Sequence, residues 1–142
     1  PVLHAAVGTA RALNARLFVL HVLEQVPMSH LLIAGVSEEE IGRLVEGMRE
    51  DATAKVQSHL SQTDYRTLQH GVKVEIVTGS PDHVIGDFVA DNGVDLVILG
   101  THGRRGLEGF LLGNTAERIL PSINASVLAV KPDGFVSPYA GK

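Results

Sequence analysis

The segment of this chain best equipped for chemistry is Gly100-Thr101-His102-Gly103-Arg104-Arg105-Gly106, continuing to Leu111-Leu112-Gly113-Asn114-Thr115-Ala116-Glu117. Its residue types suit an anionic oxygen ligand. Glycine carries no Cβ, so its backbone can approach a phosphate closely. A helix starting near Gly113-Asn114-Thr115 offers unpaired N–H groups and the positive end of its dipole. The side chains of Asn114 and Thr115 add hydrogen-bond donors. Arg104 and Arg105 can supply charge to a polyphosphate. The pattern is not a Walker loop, because no Gly-Lys-Ser/Thr follows the glycines, and its spacing and late position differ from the dinucleotide fingerprint. On physics alone, a glycine-rich surface turn leading into an N-capped helix explains the same residues equally well.

No other group of residues competes with this segment. The seven histidines, at positions 4, 21, 30, 59, 70, 83 and 102, form no ligand pair of the His-Glu-x-x-His kind. Metal binding is therefore not expected, since zinc needs several convergent ligands. His21 falls on an apolar run and reads as a hydrogen-bonded core histidine. His102 sits in the glycine segment, as an exposed loop residue or a phosphate contact. Ser80 reads as a helix cap rather than a nucleophile, because no Gly-x-Ser-x-Gly elbow surrounds it. Asp82 and Asp87 read as solvated helix residues, and Asp95 as a turn residue. Met28 and Met48 are isolated. No paired carboxylates and no nucleophile with its base are visible, so a conventional enzyme is not expected.

The glycine segment needs elements to hold it. Val2, Leu3, Ala6, Val7, Ala10 and Leu13 have the spacing of one helical face, and Asn14 suits a left-handed stop. Leu17 to Val22 is a short apolar run of the kind that forms a buried strand. Residues 23–36 read as a loop with room for a short turn. Ser37 and Glu40 have capping-box spacing, and Glu38, Glu39 and Glu40 suit a helix start. That helix is expected to reach Ser61, burying Ile41, Leu44, Val45, Met48, Ala52, Val56 and Leu60. After a polar loop over 62–71, a strand is expected from Val72 to Val77, with Lys73, Glu75 and Val77 on its more exposed face. Ser80 and Pro81 open the next helix, whose inner face is Val84, Ile85, Phe88 and Val89, and Asn92-Gly93 closes it. Val94 to Leu99 is the strongest candidate for a buried strand. A helix over 115–122 and a last strand, Ser126 to Val130, follow. Strands alternating with helices imply parallel strands joined by right-handed crossovers.

At 142 residues, 44% hydrophobic and 20% charged, the chain fits one globular domain with its own core. Residues 1–131 form that domain, and 132–142, with two prolines and two glycines, read as a loosely ordered tail. Cysteine is absent, which excludes disulfides and thiolate metal sites. A net charge of −4 without a basic cluster argues against nucleic acid, whose binding leans on clustered Lys and Arg. No apolar run approaches the about 18 residues that a membrane span requires. No signal-peptide pattern opens the sequence, and a cytoplasmic location is expected.

The spaced motif Gly100-x2-Gly103-x9-Gly113 resembles the ATP-binding signature of the universal stress protein family. Nearly the whole chain shares the likeness. Leu20-His21-Val22 resembles the family's second strand, and Asp95 through Arg104 resembles its fourth strand and loop. Leu111 through Arg118 resembles the following helix entry, and Ser126 through Lys131 the last strand. Gly113 to Glu117, with Lys131-Pro132-Asp133, is similar to the E-type, tandem-domain branch. The resemblance implies a Rossmann-like α/β fold, an open parallel five-stranded sheet with helices on both faces. It also implies ATP as ligand, with Mg2+, and little or no hydrolysis. Adenine would lie near Val22 and Leu99, the ribose at Gly100, and the phosphates at Gly103, Gly113, Asn114 and Thr115. A homodimer, or a pseudo-dimer of tandem domains, would form through strand 126–130, with Pro132 limiting its extent.

Two departures set the alternatives. Asn114 stands where the family usually places Ser or Thr, and this favours a second reading, an interaction module of the same fold that binds no nucleotide. A phosphate-handling enzyme is the third and weakest reading. The family also begins with a central strand ending in an Asp, which this sequence lacks. Leu17–Val22 and Val94–Leu99 are then expected to miss their shared neighbour. Either an upstream segment or another chain fills the place, or the sheet rearranges.

Overall fold

In the computed structural model, the described residues are 1–25, 27–101 and 114–136. Helix α1 spans Val2–Ala12, and Asn14 turns the chain out of it at φ 49°. Strand β1 is Leu17–Leu23. The next stretch, read as a loop, holds the short helix α2, Met28–Ile33. Helix α3 runs Glu38–Leu60 behind a complete capping box, with the Glu40 backbone N–H donating to the Ser37 hydroxyl and the Ser37 N–H to the Glu40 carboxylate. These bonds satisfy two N–H groups that the helix end leaves without partners. A single 3-10 turn, Tyr65–Thr67, precedes β2, Val72–Thr78. Helix α4, Pro81–Asn92, begins on a proline and ends at Gly93 in the left-handed conformation. Strand β3, Leu96–Gly100, starts two residues later than expected. Helix α5, Asn114–Ile119, ends three residues earlier than expected, and β4 is Ser126–Val130 as read from the sequence.

The strands are parallel and pair as β1 with β2 and β3 with β4. Leu17 lies opposite Val72 and Leu23 opposite Thr78, and the ladder is prolonged by Gly79 N–H donating to the Leu23 carbonyl at 2.9 Å. Leu96 lies opposite Ser126 and Gly100 opposite Val130. That second ladder is prolonged at both ends, by Ser126 N–H to the Asp95 carbonyl at 3.0 Å and Thr101 N–H to the Val130 carbonyl at 3.1 Å.

No ladder joins β1 to β3. Two cavities of about 540 and 240 Å³ lie along this break, each lined by residues of α1, β1 and β3. The smaller is closed on its other side by Ile85, Phe88 and Val89 of α4. The α/β class, the parallel strands and the covering helices thus agree with the sequence, while the sheet is split into two pairs. The strands read as buried are mostly half-buried. A parallel strand is buried by a neighbour on each edge and a helix on each face, and among the described residues β1 and β3 each have one edge without a strand neighbour.

The best-packed region lies on the α1–α3 side of β1 and β2. Val7, Ala10, Leu60 and Leu68 form a buried cluster, joined by Leu3, Leu17, Tyr65, Val72 and Val74. On the opposite face Phe18 and Phe88 meet edge to face at 5.3 Å between ring centroids, fixing α4 against β1. Of the stripe read for α3, Ile41, Ala52 and Leu60 are buried and Val45, Met48 and Val56 are half-buried, but Leu44 is 50% exposed. His21, read as a core histidine, is exposed; it pairs with Ile76 in the ladder but lies near the end of β1, beyond the buried cluster. The segment after Lys131 turns, with Phe135 N–H donating to the Pro132 carbonyl at 3.2 Å.

Candidate functional site at the carboxyl ends of the strands

Parallel pairing brings like ends together, so Leu23 lies beside Thr78 and Gly100 beside Val130. Helix α4 begins just past the end of β2, at Pro81, and its first turn meets α5, Asn114–Ile119, through Asp82 and Arg118. Val22 is half-buried opposite Val77, and Leu99 is half-buried opposite Ala129. Leu99 lines the smaller cavity with Val2 and Phe88, whereas Val22 does not line it. Gly100 is exposed, and a Cβ there would meet Val2 Cγ2 at 3.3 Å. Its missing side chain therefore serves the approach of α1 as well as any ligand. Asn114 opens α5, and Thr115 is exposed in its first turn. Gly103 and Gly113, with His102, Arg104, Arg105 and Gly106, lie outside the described residues.

Sequence reasoning passed over Thr101. It is 4% exposed, and its Oγ1 is sealed from solvent with no hydrogen-bond partner among the described residues. Its backbone N–H is satisfied by Val130. Side chains alternate along a strand, so Thr101 continues the face of Val97 and Leu99, which line the smaller cavity with Ile85, Phe88 and Val89. A buried hydroxyl without a partner costs about 1–3 kcal/mol. It is the feature of this edge best matched to an oxygen-bearing ligand such as a nucleotide. The only signal in the sequence was a polar, β-branched residue placed directly after an apolar strand.

A second polar cluster ties α4 to α5. Arg118 pairs with Asp82 at 3.1 Å, and the Ser80 hydroxyl donates to the same carboxylate. Ser80 makes no side-chain capping bond, so the expected cap is replaced by this contact, and Asp82 is partly shielded rather than simply solvated. The Ser80 bond is the main cause that lowers the Asp82 carboxyl from 3.8 to about 2, with Arg118 adding a smaller contribution. Glu40 is likewise lowered, chiefly by the Ser37 backbone N–H. On the far side of β2, Arg49 of α3 donates to the Ile76 carbonyl at 2.7 Å and reaches Thr78 Oγ1 at 3.4 Å. Among the described residues no three His, Asp or Glu side chains are grouped to hold a metal ion, and no helix is long and apolar enough to cross a membrane.

Comparison with known proteins agrees with this architecture. The universal stress protein family profile matches residues 1–131. Universal stress protein MJ0531 of Methanocaldococcus jannaschii is 31% identical over 128 residues, 89% of this chain and 71% of that protein. Universal stress protein E of Escherichia coli K12 is 38% identical over only 60 residues, 42% of this chain and 19% of that longer protein. Among solved structures, hypothetical protein MJ0577 superposes with a TM-score of 0.70 at 27% identity, covering 92% of this chain and 88% of that one. A universal stress protein solved in complex with cAMP superposes with a TM-score of 0.53 at 19% identity, covering 91% and 83%. With the family profile matching residues 1–131 and a relative aligned along most of both lengths, this chain belongs to the universal stress protein family.

Proposed function

We propose that this chain is an adenine-nucleotide-binding module of stress response or signalling, holding ATP with Mg2+ and turning it over slowly or not at all. The observation that carries the reading is the carboxyl end of β3, where a parallel strand ends at Gly100 and is followed by the buried Thr101 hydroxyl, which has no hydrogen-bond partner among the described residues. Open parallel sheets bind ligands in the crevice at this edge. The proposed contacts are Val22 and Leu99 for adenine, Gly100 for ribose, and Gly103, Gly113, Asn114 and Thr115 for the phosphates. A universal stress protein solved in complex with cAMP is consistent with an adenine nucleotide as the ligand class. The partial likeness to E proteins favours a relation to the tandem-domain branch. A cytoplasmic location accompanies this reading.

The finer architecture belongs to the same proposal. A fifth parallel strand between β1 and β3 would join the two pairs into one open sheet and cover both inner edges, which line the cavities now between them. Hydrogen exchange at residues 17–23 and 96–100 tests it: fast exchange along both inner edges rules the strand out. Association through β4 is proposed as well, since Leu128 is 40% exposed on a strand that, among the described residues, is paired on one edge only. Leu128→Lys is expected to shift a dimer towards monomer in sedimentation.

The direct test is to denature the purified protein and assay the released small molecules, followed by an ATP titration of the refolded or apo form. Near-stoichiometric adenine nucleotide, or saturable ATP binding, supports the reading. An empty extract with a flat titration favours instead the interaction module, to which Asn114 in place of Ser or Thr points. Gly113→Leu separates the two readings, because only nucleotide binding predicts lost affinity with a retained fold.

A further inference from the structure

We infer that α2 and the first turns of α3 form a docking surface for a partner protein that presents a basic amphipathic helix; this does not depend on the nucleotide reading. Helix α2, Met28–Ile33, has six residues and buries none of them fully. So short a helix is not stable by itself in water. It packs on α3, and Val36 N–H closes its end by donating to the Leu31 carbonyl at 3.0 Å. Its apolar side chains are nevertheless left open: Met28 and Leu32 are exposed, and Ile33 is 85% exposed. Leu44, in the second turn of α3, is the exposed member of that helix's apolar stripe. Of the eight large hydrophobics exposed among the described residues, four thus fall between 28 and 44. Single exposed apolar residues need no explanation, whereas their concentration on two adjoining elements marks an interaction surface.

Charge decides which occupant fits. Residues 24–51 carry seven carboxylates against two arginines, a net −5, while the rest of the chain carries nine against ten Lys and Arg, a net +1. Both arginines are already engaged, Arg43 with Glu39 and Arg49 with the Ile76 carbonyl. An anionic lipid surface is repelled by such an arm. A second copy docked symmetrically would set the acidic arm against itself. A protein helix with apolar residues at i, i+3, i+4 and i+7 and Lys or Arg on its flanks covers the exposed side chains and matches the field.

The experiment titrates the full chain with a fluorescent peptide of about 15 residues, Leu at that spacing and Lys elsewhere, followed by anisotropy. One control peptide has the same composition scrambled, and another has Glu in place of Lys. The patterned Lys peptide is expected to bind at least about tenfold more tightly than either control. Ile33→Ser and Leu32→Ser are each expected to weaken it about tenfold, and about 0.5 M salt to weaken it several-fold. Thermal unfolding checks that the variants fold, and Met28→Ser carries the same comparison if either does not. Equal binding of the scrambled peptide, no binding of any peptide, or unchanged affinity in the serine variants overturns the inference. Co-sedimentation with phosphatidylglycerol vesicles, or a self-association that Ile33→Ser abolishes, overturns it in favour of a lipid surface or a second copy.

Discussion

The β1–β2 pair and the β3–β4 pair are built on the same parallel ladder, yet they are packed very differently. Around β1 and β2, helices α1 and α3 bring Val7, Ala10, Leu60 and Leu68 into one cluster, and Arg49 covers the outer edge by binding the Ile76 carbonyl. Around β3 and β4, the fully buried apolar anchor is Ile119 of the six-residue helix α5, and Leu128 on β4 remains 40% exposed. A ladder alone does not bury a strand; coverage by long amphipathic helices does. The sparsely covered half is also the one that carries Gly100, Thr101 and the start of α5.

Leu60→Ala tests this contrast most severely. A cavity in the packed cluster is expected to cost about 3 kcal/mol in urea unfolding. Ile119→Ala is expected to cost less, because a short helix beside exposed neighbours can settle into the space. An equal or larger loss at Ile119 would break the distinction between the halves. Next in size is Arg49→Gln, which removes a charged donor from a part-buried carbonyl and is expected to cost about 1–2 kcal/mol, read by the same unfolding curve. No change would mean that the outer edge of β2 needs no guard.

Gly93 sharpens the comparison at the turn that feeds β3. Its φ is +60° and a Cβ would meet nothing within 4 Å, so any effect of Gly93→Ala comes from backbone conformation alone. The expected cost is about 1 kcal/mol, and a neutral result would show that the turn relaxes freely.

The smallest effect is expected from Asp82→Asn. The Asp82 carboxyl lies at about 2 in the folded chain against an ordinary 3.8. A lowered folded value means that its contribution is present above the ordinary value and fades as pH falls from about 4 towards 2. The asparagine variant, which cannot titrate, is expected to lose less stability across that window than the original chain. Parallel acid-unfolding curves for the two proteins would remove Asp82 and its Arg118 partner as a link between α4 and α5.

Most of the elements were legible because local chemistry sets them. The capping box at Ser37 and Glu40, the left-handed residues Asn14 and Gly93, Pro81 at a helix start and the apolar strand β4 all depend on near neighbours in sequence. Side-chain environment was less legible. Leu44 fits the apolar stripe of α3 yet is exposed, and His21 sits in an apolar run yet faces solvent. Burial depends on what packs opposite, and periodicity states only which residues share a face. The glycine segment could be recognised from its spacing, while Thr101 could not be singled out within it.

By itself the sequence determined the alternation of helices and strands, their parallel sense and the place of the glycine segment after β3, since propensity, capping and crossover handedness act locally. Tertiary structure alone decided that the strands pair two by two with cavities between β1 and β3, that Arg49 guards one edge, and that the Thr101 hydroxyl is buried without a partner among the described residues. Each of these outcomes depends on residues distant in sequence meeting, or failing to meet, in space, and that is where the free energy of burial and of unsatisfied polar groups is set.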